Sequence, residues 1–159
     1  MSIHVHWDNE FEDILVIAFE GDWTWSEYYG MGDQARQLLN ERDQVTHIVY
    51  DFSSSTGMMR SPIMHMRYFA SHLPTKVREG LAIYIGATIY WRTCVSAFNR
   101  VYPQLAQDHV YVSDLDDARD AVERKREQMA LLADDDEDRD DHDETMPSRT
   151  SLRLNGSYR

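Results

Sequence analysis

VTHIVYDFSSSTGMMRSP, residues 45–62, joins three kinds of sequence without a gap. Val45 to Phe52 is apolar and β-branched enough for a strand covered on both faces. Ser53, Ser54, Ser55, Thr56 and Gly57 follow as a hydroxyl-rich loop, and Met58, Met59 and Arg60 lead to Ser61-Pro62. Ser61 reads as a helix cap and Pro62 as the first helical residue, where the missing N–H costs nothing. The junction is therefore strand, loop, helix. In an open α/β sheet, ligands and modifications gather at the carboxyl ends of strands and at the helix N-termini beyond them.

The flanking sequence supplies the rest of such a sheet. Residues 2–7 alternate Ile3, Val5 and Trp7 against Ser2, His4 and His6, and residues 12–20 form a second, more apolar strand. Thr24-Trp25-Ser26-Glu27 is a capping box opening a helix to about Glu41. The helix after Pro62 carries Ile63, Met66, Phe69, Ala70 and Leu73 and ends before Pro74. GLAIYIGA at 80–87 is a fourth strand. Ile89, Trp91, Val95, Phe98 and Tyr102 mark a third helix, and HVYV at 109–112 is the last strand. Ser113 to Asp116 opens a fourth helix bearing Leu115, Ala118, Val122 and Met129. The order β-β-α-β-α-β-α-β-α predicts an α/β fold with about four helices. Its sheet is five-stranded, mainly parallel and covered on both sides, with a hairpin at one edge.

Composition limits the function classes. The chain has 159 residues and a net charge of −12. Residues 134–144 hold nine acids against one arginine, and Arg149, Arg153 and Arg159 follow with no acid, which leaves −7 for residues 1–133. Both parts repel phosphate backbones and anionic bilayers, so nucleic acid and membrane are not expected partners. The predicted division is an α/β domain over 1–132 and a disordered acidic tail with a basic end over 133–159. The closing SRTSLRLNGSYR could dock on an acidic partner or on the domain itself, or serve no purpose. The first ten residues lack a signal-peptide pattern and Cys94 is the single cysteine, so the cytoplasm is the expected compartment.

The third strand with its serine-rich loop, the apolar strand LAIYIG and the closing VYVSDLDDARDAVER resemble the STAS domain and its anti-sigma-factor-antagonist-like relatives, over residues 3 to about 127. The resemblance implies a non-enzymatic regulatory module that binds another protein, a kinase or a regulator, and is switched by phosphorylation at the start of its second helix. Ser61 is the positional match for the phosphoacceptor; Arg60 stands where the family has an acid, and the following glycine is absent. The chain is thus more similar to a divergent, interaction or small-ligand branch than to a sigma-pathway switch. A homodimer is left open.

Ser53 to Arg60 form the expected partner or ligand edge, with the methionines suited to an adaptable surface or an apolar pocket. The plainer readings are that Ser61 only caps, that 53–56 is solvated loop, and that Met66 is core while Met58, Met59 and Met64 fill gaps. The alternative function is a small-molecule or lipid-binding domain using this Met- and aromatic-lined end. Of Trp23 and Trp25, one reads as a staple onto the first helix and the other as the lining of a ligand mouth.

Other constellations are weak. His4 and His6 share a strand face without a third ligand, and His65 and His72 are two turns apart. Asp134, Asp136 and Asp138 begin like a calcium loop, but Arg139 and Thr145 occupy its glycine and glutamate positions. Glu20 and Asp22 flank a turn, and Cys94 sits between Trp91 and Phe98 as a buried apolar residue. No cofactor, metal or nucleophile signature is found, and no catalytic role is expected.

Overall fold

The computed structural model describes residues 2–8, 10–57 and 59–140, with side chains through 133. Five strands, β1 (Ile3–Trp7), β2 (Ile14–Gly21), β3 (His47–Ser55), β4 (Leu81–Ile85) and β5 (Asp108–Val112), lie side by side in chain order. β1 runs antiparallel to β2, and every later pairing is parallel, as the alternation of strands and helices predicts.

Five α-helices accompany them: α1 (Trp25–Asn40), α2 (Pro62–Ser71), α3 (Thr75–Arg78), α4 (Ile89–Val101) and α5 (Leu115–Asp140). A short 3-10 turn spans Pro103–Leu105. α3 is an addition to the four expected helices. Pro74, read as a stop, also caps this extra turn.

Adjacent parallel strands joined by right-handed crossovers put their connecting helices on one face of the sheet. Residues of α1 to α4, including Met31, Phe69, Val77 and Trp91, accordingly pack with Leu15, Ile17, Phe19 and Ile48. α5 alone supplies the opposite core, through Ala118, Ala121 and Val122 against Val16, Val49 and Ile83. The guanidinium of Arg119 grips the Asp8 carboxylate at the end of β1 through two 2.8 Å hydrogen bonds. α5 continues into a second unit that begins at Arg126. It is helical through Asp140, beyond the point where the sequence predicts the tail to start. The remaining acidic tail and its basic end lie outside the described residues.

Local signals position the ends of the elements. The Thr24 hydroxyl accepts from the Glu27 amide at 3.2 Å, and the Glu27 carboxylate accepts from the Thr24 amide at 2.9 Å, which completes the capping box. α5 is capped one residue later than the sequence suggests, with the Asp114 carboxylate accepting from the Asp117 amide at 3.0 Å. At the opposite end of the sheet, buried His47 accepts the Leu81 amide on Nδ1 at 3.0 Å, so it is the Nδ1-unprotonated tautomer.

Candidate functional site

The hydroxyl-rich segment is not the loop that its composition suggests. β3 runs on through Ser53, Ser54 and Ser55: after a one-residue bulge in β3, where Phe52 and Ser53 stand against Phe19, β2 is long enough to pair Glu20 with Ser54 and Gly21 with Ser55. The Ser53 and Ser55 side chains then take fixed partners. Ser53 donates its amide to Asp51 Oδ1 at 2.9 Å and its hydroxyl to the same atom. Ser55 Oγ accepts from the indole of Trp23 at 3.0 Å. Thr56 donates its amide to Gly21 O at 3.0 Å and its hydroxyl to Asp22 Oδ1 at 3.1 Å.

Residues 59–61 lead into α2 as a strap held from both flanks. The Tyr90 hydroxyl, in the first turn of α4, donates to Met59 O, and the Trp25 indole, at the start of α1, donates to Arg60 O at 3.1 Å. Met58 lies outside the described residues. Met59 packs half-buried on the core, whereas Met64 is 72% exposed and fills no gap.

Ser61 stands at the cap position of α2 but does not cap it. Its backbone is left-handed (φ 56°, ψ 44°), and its side chain makes no capping hydrogen bond. A non-glycine residue in this region costs on the order of 1–3 kcal/mol. Ser61 therefore presents an exposed hydroxyl, uncommitted to the helix it precedes.

Beside the strap, the end of β3 and the start of α4 enclose a groove of about 420 Å³. Its walls carry the rings of Phe52 and Trp91, stacked at 4.9 Å and 17°, and the hydroxyls of Ser55, Thr56 and Thr88. Ile89, assigned by spacing to the buried face of its helix, is instead 85% exposed on the groove rim. Thr88 caps α4 by accepting the Trp91 amide at 3.4 Å. Gly86 allows this layout: with φ +64°, a Cβ there would lie 2.7 Å from the Ser53 backbone.

Both tryptophans of the Trp23–Trp25 pair serve this end. Trp23 is 2% exposed and sits among Phe19, Trp25, Tyr28 and Trp91. Trp25 stacks on the His65 ring at 3.7 Å and 15°. His65 Nδ1 also meets the Tyr29 hydroxyl at 2.6 Å, and burial holds the imidazole below its usual pKa.

The remaining candidates are not brought together. Glu20 turns to His4 at 3.6 Å while Asp22 takes Thr56, so the two carboxylates do not form a pair. Among the described residues, no group of three potential ligands could hold a metal ion. The calcium-like run at 134–138 falls where side chains are not described. Burial raises the Cys94 thiol pKa and keeps it protonated. The described residues lining the groove include no carboxylate, amine, imidazole or thiol. The geometry can stack, enclose and hydrogen-bond.

These features define an α/β protein with a five-stranded, mostly parallel sheet and a groove at the carboxyl ends of its strands. No protein-family model matches the chain, and no curated protein matches it. Among the described residues no helix is long and apolar enough to cross a membrane.

Proposed function

We propose that this chain is a STAS-like module that binds rather than catalyses. Its groove between β3 and α4 would take a small uncharged ligand with an apolar ring. The observation that carries this reading is the groove itself: about 420 Å³ bounded by two stacked rings and several hydroxyls. Ligand sites are typically apolar concavities of this scale with a few placed polar groups. The five-stranded, mostly parallel sheet with one antiparallel edge pair supports the STAS-like assignment. The cytoplasm is the proposed compartment, in keeping with a single buried thiol.

The test uses the uncharged fluorophore N-phenyl-1-naphthylamine with the whole chain and with Ile89→Glu. Ile89 is solvent-exposed, so the substitution leaves the core intact and places a charge on the groove rim. Saturable binding that Ile89→Glu weakens at least tenfold supports the reading. Absence of saturation, or equal binding by both proteins, overturns it.

The uncommitted hydroxyl of Ser61 supports a second reading, a phosphorylation switch read by a partner protein such as a kinase or regulator. Phosphate there would meet the free amides of α2 and the Arg60 cation. Intact-mass and peptide mass spectrometry on protein from its native cells tests this. A chain clean at Ser61 under several growth conditions removes the switch.

A further inference from the structure

A row of tyrosines crosses the middle of the sheet on the face covered by α1 to α4. Strand register sets Tyr50 opposite Tyr84 and Tyr84 opposite Tyr111. The rings follow: Tyr50 and Tyr84 stack at 5.1 Å and 14°, and Tyr84 and Tyr111 lie 5.4 Å apart. Tyr28 comes down onto the same region from α1. A ring suits the space between a sheet and its helices, but a phenol hydroxyl buried there needs a partner.

Two other phenols have partners: Tyr29 meets His65, and Tyr90 meets the Met59 carbonyl. The hydroxyls of Tyr28, Tyr50 and Tyr84 meet none among the described residues. They are not sealed in either, since the sealed and unpartnered side-chain atoms among the described residues are Arg42 Nε and Arg78 Nε. The three tyrosines instead line a partly open pocket of about 60 Å³ whose lining reaches exposed His109 and which shares with the groove only Phe52 and Trp91. Small side chains, Ala82 on β4 and Ala70 on α2, are part of its lining. Its far end is polar, with Asn99 Nδ2 3.3 Å from His109 Nδ1 and Gln107 donating to the Val77 carbonyl.

We propose that this cavity is a binding site for a small, uncharged ring compound carrying a hydroxyl or carbonyl oxygen, with that oxygen received by the Tyr28, Tyr50 and Tyr84 hydroxyls. Burial raises all three phenols far above their ordinary pKa, and each phenolate would repel the next, so they stay neutral and able to donate. No carboxylate, amine or guanidinium lines the space, so an ion entering it would lose hydration with no countercharge. The aromatic walls supply faces for stacking.

The volume decides how the ligand fits. A cavity of roughly 150 Å³ takes a benzene-sized ring, and 60 Å³ falls short of that. Met66 on α2 lines the cavity, and its flexible thioether chain can turn out to make room.

The probes are 4-fluorophenol and fluorobenzene, followed by 19F NMR titration into the full chain and into Met66→Ala, Tyr84→Phe and Ile89→Glu. Met66→Ala should tighten 4-fluorophenol binding. Tyr84→Phe keeps the ring and should weaken 4-fluorophenol about fivefold, the size of one hydrogen bond, with fluorobenzene unchanged. Ile89→Glu, which disables the groove, should leave both probes unaffected. The proposal is overturned if 4-fluorophenol does not bind the unmodified chain, even where it binds Met66→Ala, since the site would then belong to the variant alone. It is equally overturned if Tyr84→Phe shifts both probes alike or neither, or if Ile89→Glu abolishes binding.

Discussion

The indole Nε1 of Trp25 donates to the backbone carbonyl of Arg60 at 3.1 Å, so the first residue of α1 holds the last stretch of chain before α2. From the opposite flank, the Tyr90 hydroxyl holds the carbonyl of Met59. Two aromatic side chains thereby fix adjacent carbonyls of a strap that has no regular hydrogen bonding of its own. The groove beside the strap inherits its shape from α1 and α4.

Trp25→Phe keeps an aromatic ring over His65 but removes the donor. The strap should loosen at Arg60, with a stability loss of about 0.5–1.5 kcal/mol for one partly exposed hydrogen bond. Backbone 15N relaxation reads this directly: order parameters of 59–61 should fall while those in the middle of α1 stay high. Unchanged relaxation in the strap would show that Tyr90 and packing suffice to hold it.

Ser61→Gly separates two roles that the sequence merges. If the Ser61 hydroxyl stabilised α2 as a cap, glycine would cost a few tenths of a kcal/mol. Here the hydroxyl makes no such bond and the backbone is left-handed, so glycine relieves strain. The variant should unfold at an equal or higher urea concentration, by up to about 1 kcal/mol in stability. A clear destabilisation would restore the capping role.

These two residues also mark how far the sequence could be read. The Thr24–Glu27 box was legible because its partners are three residues apart and fix each other locally. The position of Ser61 before Pro62 was legible for the same reason. Its backbone was not, because the residue before proline normally prefers extended geometry, and the strap overrides that preference. The polarity of Ser53 to Ser55 favours a loop, while the length of β3 is set by pairing with Glu20 and Gly21 at the end of β2, thirty or more residues upstream. The alignment of Tyr50, Tyr84 and Tyr111 depends on the register of three separate strands. No single stretch of sequence carries that information.

Gly86→Ala tests the contact between β4 and the site. The glycine has a left-handed φ, and an added Cβ would press on the Ser53 N and Cα at 2.7 Å, both backbone atoms that cannot swing away. Overpacking and backbone strain together should cost roughly 2–4 kcal/mol. Thermal and urea unfolding check the magnitude. A loss under about 0.5 kcal/mol, the level of an ordinary surface change, would mean that β3 and β4 separate easily at this end.

His65 should make stability depend on pH in one direction. Its imidazole lies between the Trp25 ring and the Tyr29 hydroxyl, and burial holds its folded-state pKa below the usual value of 6.5. Above about pH 6.5 the ring is neutral in both folded and unfolded chains, so its contribution is fully present. As pH falls below that value, the unfolded chain takes up the proton first, and stability drops until the folded-state pKa is passed. Urea unfolding of the wild-type chain and of His65→Gln at pH 7.5, 6.5 and 5.5 isolates this residue, because the other titrating groups cancel in the difference. The wild-type advantage should shrink as the pH is lowered, and the His65 ring proton should titrate with an NMR midpoint below 6.5. An advantage that grows toward acid, or a midpoint above 6.5, would mean that the imidazolium has a partner at this position and that the aromatic clasp works in the opposite sense.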